Sequence, residues 1–276
     1  MTGDSFTEGL GYDFDDTFVG RISARLSEDG VETLNGGVSS YYPGIHLRRT
    51  RDLLDIEGLQ FDHLVVFLDL SDIHDETLCE DVSSAGRESI KCRNPHPLPV
   101  RLRGALERRA LVLHSLLRAA ERLFQAEPLA TGVNRRRGLW TVDPGLFLSY
   151  GQEGLARATV HMDALADLLR RHHIGLTIAV YPWPDQIARH DTPSKQALAW
   201  SRWAKSQKAG FIDYFPSFLG QASPQETIRR YFIPGDVHWN DAGHRLIADG
   251  FLEYYARELR KTLLSARNSS KSGKRL

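Results

Sequence analysis

The chain has 276 residues, of which 41% are hydrophobic and 25% charged, and its 35 Lys and Arg balance 35 Asp and Glu. That length suits one domain and buries enough apolar surface to fold without staples. The zero net charge excludes a field that gathers nucleic acid or anionic lipid, so neither is expected as a partner.

Ser5 stands almost at the start, in Gly3-Asp4-Ser5-Phe6-Thr7-Glu8-Gly9. A serine presented on a strand-to-helix turn needs a strand before it, yet only Met1 and Thr2 precede Gly3. A start upstream of Met1 is therefore expected, in a segment able to carry an export signal or a membrane anchor. The chain itself opens with no signal peptide, and its longest apolar run, 63–68, is too short to span a bilayer. The default compartment is the cytoplasm, changed to a periplasmic or membrane-anchored one by such a leader.

Thr17 caps a helix in which Phe18, Ile22 and Leu26 recur every fourth position, ending near Gly30. Residues 31–35 read as a short strand leading into Gly36-Gly37. Residues 63–70 are nearly all apolar, as a parallel strand buried on both faces requires. The stretch 76–150 is long and rich in Arg and Pro, and reads as an insertion or lid over one end of the sheet, with one helix over 102–125. Within it, Arg135-Arg136-Arg137 reads as a solvated turn rather than a site for an acidic polymer. Cys79 and Cys92 read as two free thiols, with a disulfide open to them in an oxidising compartment.

Residues 155–172 carry Ala158, Met162, Leu165, Leu168 and Leu169 at helical spacing, and His172-His173 close that helix where a cation suits its dipole. A second buried strand, 174–181, is stopped by Pro182 and Pro184. A helix over 195–209 takes Gly210 as its end signal, and 211–215 is the last strand. A closing helix over 242–264 turns Leu246, Ile247, Phe251 and Tyr254 inward. The polar, basic tail 265–276 is expected to be disordered. Strands alternating with helices imply a three-layer α/β/α sandwich around a parallel sheet, one domain over 1–264.

The chemistry comes from the two ends. Near the C-terminus the chain reads Gly235-Asp236-Val237-His238-Trp239-Asn240-Asp241-Ala242-Gly243-His244. A serine hydroxyl is a weak nucleophile at neutral pH; a histidine must take its proton and a carboxylate must hold that histidine in the right tautomer. Ser5, His238 and Asp236 can fill those roles. The competing readings are a helix cap for Ser5 and a metal site of Asp236, His238 and His244. No cysteine or further carboxylate accompanies those histidines, so no metal is expected, and His244 reads as a cap or a packing residue. His74, after a strand end, either reaches the site or lies on the surface. Trp183 and Trp239 either stack on a sugar ring or pack their loops.

The block Gly3-Asp4-Ser5 with Phe6-Thr7-Glu8-Gly9 resembles the first block of the SGNH (GDSL-type) hydrolases. Asn35-Gly36-Gly37-Val38-Ser39-Ser40 resembles their second, Asp69-Leu70-Ser71-Asp72 occupies the place of their third, and Asp236-Val237-His238 resembles their last. The resemblance implies a three-layer α/β/α fold, ester or acyl-transfer chemistry and no cofactor. It assigns Ser5 as nucleophile, His238 as base and Asp236 as its orienter, with oxyanion donors at Ser5, Ser40 and Ser71. The sequence departs from the pattern in three places. Asp236 and His238 are two apart rather than three, which with Trp239 is similar to the alginate-type O-acetyltransferases; side chains two apart in an extended loop still point the same way. The second-block glycine falls at Ser40, whose backbone N–H survives the change. The third-block glycine and asparagine are Asp69 and Ser71, and Ser71 has a shorter reach than asparagine. Asp69, Asp72 and Asp75 there are expected to raise the basicity of a neighbouring histidine or to repel anionic substrates.

The expected activity is hydrolysis of a small acyl ester, an O-acetyl group of a carbohydrate by analogy, on a small-molecule or polysaccharide substrate. An O-acyltransferase and a carbohydrate-binding module with a decayed site are the rivals.

Overall fold

A computed structural model describes residues 1–84, 87–92, 135–220 and 223–264. The expected helix over 102–125 and tail over 265–276 lie outside the described residues. In chain order the principal elements are α1 (Ser5–Glu8), α2 (Phe18–Ser27), α3 (Pro43–Arg51), β1 (His63–Leu68), α4 (Asp72–Leu78), β2 (Cys79–Ser84), β3 (Arg87–Cys92), α5 (Gln152–Arg171), β4 (Gly175–Val180), α6 (Lys195–Gln207), β5 (Gly210–Asp213), α7 (Pro224–Tyr231) and α8 (Asp241–Tyr254).

The apolar runs form the sheet. β1 pairs in parallel with β4, Val66 opposite Ile178, and β5 pairs in parallel with the far edge of β4. Thr2 takes the place of a strand on the free edge of β1: its N–H donates to Val65 O at 2.8 Å, and its carbonyl accepts from Phe67 N–H at 2.9 Å. On the outer side Gly36 N–H donates to Met1 O and Val38 N–H to Gly3 O. The strand expected over 31–35 is thus absent as a regular element. An extended segment slightly further on pairs instead with Met1 and Gly3.

Helices cover both faces. Residues opposite in a parallel register share a face, so Val65, Phe67, Thr177 and Ala179 point one way. On that face Phe18 of α2 meets Phe67 with ring centroids 4.7 Å apart, and the Tyr254 hydroxyl of α8 lies 3.3 Å from Thr177 Oγ1. α5 and α6 pack against β4 from the other side, completing the three-layer α/β/α sandwich. The cap at Thr17 forms as its position suggests, its side chain accepting from Gly20 N–H. α6 ends differently from expectation: Lys208, at φ 57°, is the left-handed cap, and Gly210 already belongs to β5. Among the described residues no helix is long and apolar enough to cross a membrane.

α5 and α4 meet backbone to side. A Cβ on Gly154 of α5 would lie 1.9 Å from Ile73 O and 2.9 Å from Ile73 Cγ2. Gly154→Ala is expected to destabilise the protein by about 2 kcal/mol, lowering Tm by about 4–8 °C in a thermal melt. An unchanged melting temperature would show that the two helices separate freely.

Cys79 and Cys92 form a disulfide, a correction to the expectation of free thiols. The antiparallel register of β2 and β3 places the two residues opposite one another, with Cα atoms 4.0 Å apart. Their thirteen-residue separation does not announce a hairpin, and that is why composition alone read them as unpaired. The intact protein is expected to take up no iodoacetamide, and two equivalents after reduction in denaturant. Alkylation of the unreduced protein at either cysteine contradicts the pairing.

Candidate active site

The site lies at the C-terminal ends of the parallel strands, where open α/β sheets bind ligands. Thr2 leads through Gly3 and Asp4 into α1, so Ser5 opens that helix. β1 leads to Asp69, Leu70 and Ser71, and β4 to Tyr181, Pro182 and Trp183. The segment between α7 and α8 supplies the histidine. It folds back on itself through an antiparallel bridge of Phe232 to Trp239, with Ile233 N–H donating to His238 O at 3.0 Å. Asn240 fastens its end, the side chain accepting from Gly243 N–H while Nδ2 donates to the carbonyls of Arg230 and Phe232.

Three side chains from the two ends of the chain converge. Ser5 Oγ lies 2.8 Å from His238 Nε2, and His238 Nδ1 lies 2.7 Å from Asp236 Oδ1. A carboxylate only accepts, so Nδ1 carries the ring proton and Nε2 is left to accept from the serine. The two-residue spacing closes because Asp236 Oδ1 also accepts the backbone N–H groups of Val237 and His238. The His238 hydrogen bond holds the Asp236 carboxyl below the usual carboxylate range, against a smaller opposing effect of burial. The His238 ring packs on Phe6, centroids 4.7 Å apart, and Phe6 in turn meets Trp239 and Tyr181.

Beneath Ser5 lie three buried carboxylates. Asp4, Asp69 and Asp72 each offer an oxygen within 4.8 Å of the others, the one acidic group among the described residues with the spacing of a cation site. Their donors are protein groups. Asp4 Oδ1 accepts from Phe6 N–H and the Tyr181 hydroxyl. Asp69 accepts from Ser71 N–H, the Ser71 hydroxyl and Trp183 Nε1, and its own N–H donates to Asp72 Oδ2. Burial, then the Asp69 charge, pushes the Asp4 carboxyl well above its ordinary range. Asp72 rises for the same two reasons, with Asp4 and Asp75 adding to them, and its Oδ1 has no hydrogen-bond partner among the described residues.

These contacts correct several expectations. The Ser71 hydroxyl, expected as an oxyanion donor, spends its proton on Asp69 at 2.6 Å. Of the two readings of Trp183 and Trp239, stacking on a sugar or packing their loops, the second holds: they are 3% and 1% exposed and present no face to a ligand. Each is drawn in by a partner far away in sequence, Trp183 by Asp69 and Trp239 by Phe6 and Tyr181. Of the three carboxylates expected beside a histidine, Asp75 lies 3.8 Å from His74 Nδ1 and also pairs with Arg137. The arginine run is exposed at Arg135 and Arg136, as a solvated turn is, yet two of its side chains, Arg135 and Arg137, are held by carboxylates. Arg135 grips Asp185 with two hydrogen bonds of 2.8 and 2.6 Å, and Tyr150 donates to the carbonyls of Arg136 and Arg137. His244 is a cap: its buried Nδ1 accepts from Phe18 N–H at the start of α2. His74 is half-buried against Tyr150.

The second block runs beside α1. Asn35 Nδ2 donates to Thr7 O, and Asn35 Oδ1 accepts from Gly37 N–H. At Gly37 a Cβ would fall 2.5 Å from Glu8 N and 2.6 Å from Thr7 C, so only glycine lets the loop lie this close. Val38 N–H donates to Gly3 O and Ser39 N–H to Glu8 Oε2. Ser40 follows in the left-handed region, φ 65°, and its N–H makes no hydrogen bond among the described residues. The roles of Asp69, Tyr181 and Glu8 were not legible in advance, because each depends on a contact between separate segments.

No protein-family model matches the chain, and no curated protein matches it. Among solved structures it is similar to TesA, at 13% identity and a TM-score of 0.52, over 92% of this chain and 95% of that one. It is also similar to a member of the lipolytic protein G-D-S-L family from Veillonella parvula, at 13% identity and a TM-score of 0.49, over 93% and 96%. A mutant of Axe2, an acetyl-xylooligosaccharide esterase from Geobacillus Stearmophilus, aligns at 13% identity and a TM-score of 0.48, over 91% and 90%. The likeness shows a shared fold, a three-layer α/β/α sandwich with a parallel sheet.

Proposed function

We propose that this chain is a serine-dependent hydrolase of carboxylic esters, acting through an acyl-enzyme on a small acyl group. The observation that carries the reading is the unbroken line of hydrogen bonds from Ser5 Oγ through His238 to Asp236, at 2.8 and 2.7 Å. Ser5 Oγ attacks the acyl carbonyl while its proton passes to His238 Nε2. Asp236 stabilises the imidazolium that forms. The oxyanion is held by the N–H groups of Ser5 and Ser40, neither of which makes a hydrogen bond among the described residues. His238 then returns the proton to the departing alcohol, and water repeats the sequence to free the acid. With the Ser71 hydroxyl committed to Asp69, catalysis rests on two backbone donors; one donor fewer lowers the rate by roughly 10²–10³.

Hydrolysis is favoured over transfer by exposure, since the Asp236 side chain is 48% exposed and that of His238 22%. Water reaches this base, whereas transfer to an alcohol demands its exclusion. The O-acetylated carbohydrate substrate rests on the Asp236-Val237-His238-Trp239 similarity to the alginate-type O-acetyltransferases, now without support from exposed tryptophans. That similarity also motivates the transferase reading; acetylated oligosaccharide formed from an acyl donor and a free oligosaccharide would favour it. The Cys79–Cys92 disulfide supports an oxidising compartment over the cytoplasmic default. A fluorophosphonate probe tests the core of the reading: one equivalent bound, on the peptide containing Ser5, is expected, and an unlabelled Ser5 rules out an activated serine.

A further inference from the structure

We propose that Glu8 is a positioning residue for the oxyanion hole, acting through its hydrogen bond to the Ser39 N–H; this rests on the assignment of Ser5 and Ser40 above. Ser40 is one of four non-glycine residues at positive φ among the described residues, and the only one in the four blocks. A left-handed serine relaxes to an ordinary backbone conformation unless its neighbours prevent it. Two hydrogen bonds flank it. Tyr41 N–H donates to Val38 O on one side, and Ser39 N–H donates to Glu8 Oε2, at 2.8 Å, on the other.

The second bond is the informative one, because Glu8 lies three residues after the nucleophile, at the end of α1. The loop is tied to α1 and the residues just before it at two further points, Val38 N–H on Gly3 O at 3.1 Å and Asn35 Nδ2 on Thr7 O at 3.0 Å. Both of those precede Ser39. Glu8 is therefore the last tie between the helix that carries Ser5 and the residue whose N–H is to point at the reacting carbonyl. It is also the only one of these ties made by an ionised side chain to a backbone N–H, the stronger kind of hydrogen bond. With that acceptor gone, residues 39–40 are held by Tyr41 alone, and the Ser40 N–H drifts from the place where negative charge develops. Such a loss is felt in the transition state and little in the ground state, so it appears in kcat rather than KM.

The test compares Glu8→Ala and Glu8→Gln with the wild type and Ser5→Ala, using a chromogenic acetate, thermal melts and fluorophosphonate labelling. Glu8→Ala is expected to lose about 10- to 100-fold in kcat, with KM within about twofold, because a displaced donor costs no more than a deleted one. Glu8→Gln, whose amide oxygen accepts the same N–H, is expected to stay within about fivefold of wild type. Both variants should melt with the wild type and still take one equivalent of probe at Ser5, more slowly in Glu8→Ala. A Glu8→Ala enzyme with wild-type kcat overturns the proposal, as does a Glu8→Gln enzyme as slow as Glu8→Ala, or a loss of rate matched by a fall in melting temperature. If Ser5→Ala keeps the wild-type rate, the reading of Ser5 falls and this proposal with it, an outcome separate from the other three.

Discussion

Ser5→Ala is expected to lower kcat on a chromogenic acetate by about 10⁴-fold or more, and His238→Ala by as much. On the proposed mechanism the two side chains act as one unit, the imidazole 2.8 Å away accepting the hydroxyl's proton. Removing both should therefore cost little more than removing either. Asp236→Asn tests the third member differently. Its amide nitrogen can donate to Nδ1 and turn the imidazole into the wrong tautomer, and this costs up to about 10⁴-fold. Asp236 is half-exposed, so water can substitute for part of its role and the expected loss lies between about 10²- and 10⁴-fold. Initial rates per mole of protein, with concentration taken from absorbance and folding checked by thermal melts, measure all four. Equal rates for wild type and Ser5→Ala would falsify the serine mechanism; fully additive losses for Ser5 and His238 would show that the pair does not work together.

The second large effect is on stability. His46, His63 and His244 are held neutral by burial, titrating at about 3, 4 and 4 in the folded protein against 6.5 in a free side chain. Smaller contributions come from the Met1 ammonium facing His63, and from Arg21 near His244, whose effect Asp241 partly offsets. Below about pH 6.5 the unfolded chain binds three protons that the native protein refuses, so stability falls with pH until the folded values are reached. Asp4, Asp72 and Asp213 act in the opposite sense. Their raised carboxyls retain protons that the unfolded chain has already released, a contribution lost as pH rises through their folded values. The three histidines alone set a slope of about 4 kcal/mol per pH unit near pH 5, and the buried acids reduce it. Urea midpoints measured between pH 6 and 4.5 should fall steadily. His244→Asn, whose Oδ1 can accept the same Phe18 N–H, should lower the slope by about 1.4 kcal/mol per pH unit. A midpoint independent of pH across that window refutes the account.

The acid nest explains how a departure in sequence is absorbed in space. Where the family pattern has glycine and asparagine, Asp69 and Ser71 bond to one another, and Asp69 also fixes Trp183. A bulkier first residue is thereby accommodated by three donors that satisfy its charge. The consequence is that the Ser71 hydroxyl is committed to Asp69.

What the chain alone determined is what depends on near neighbours. Thr17 caps α2 and the apolar runs of β1 and β4 form the sheet core, because caps and periodicity are settled within a few residues. Asp236 and His238 were legible as a pair for the same reason, being two residues apart and joined through local hydrogen bonds. What only tertiary structure decided is which distant segments arrive together. Cys79 meets Cys92, Trp183 turns inward to Asp69, Arg137 is taken by Asp75, and Glu8 meets Ser39, each through a fold-dependent juxtaposition that carries no periodic or capping signal. A buried polar group must find its partner wherever the packed layers bring one, and that partner is set by the layers rather than by the residues beside it.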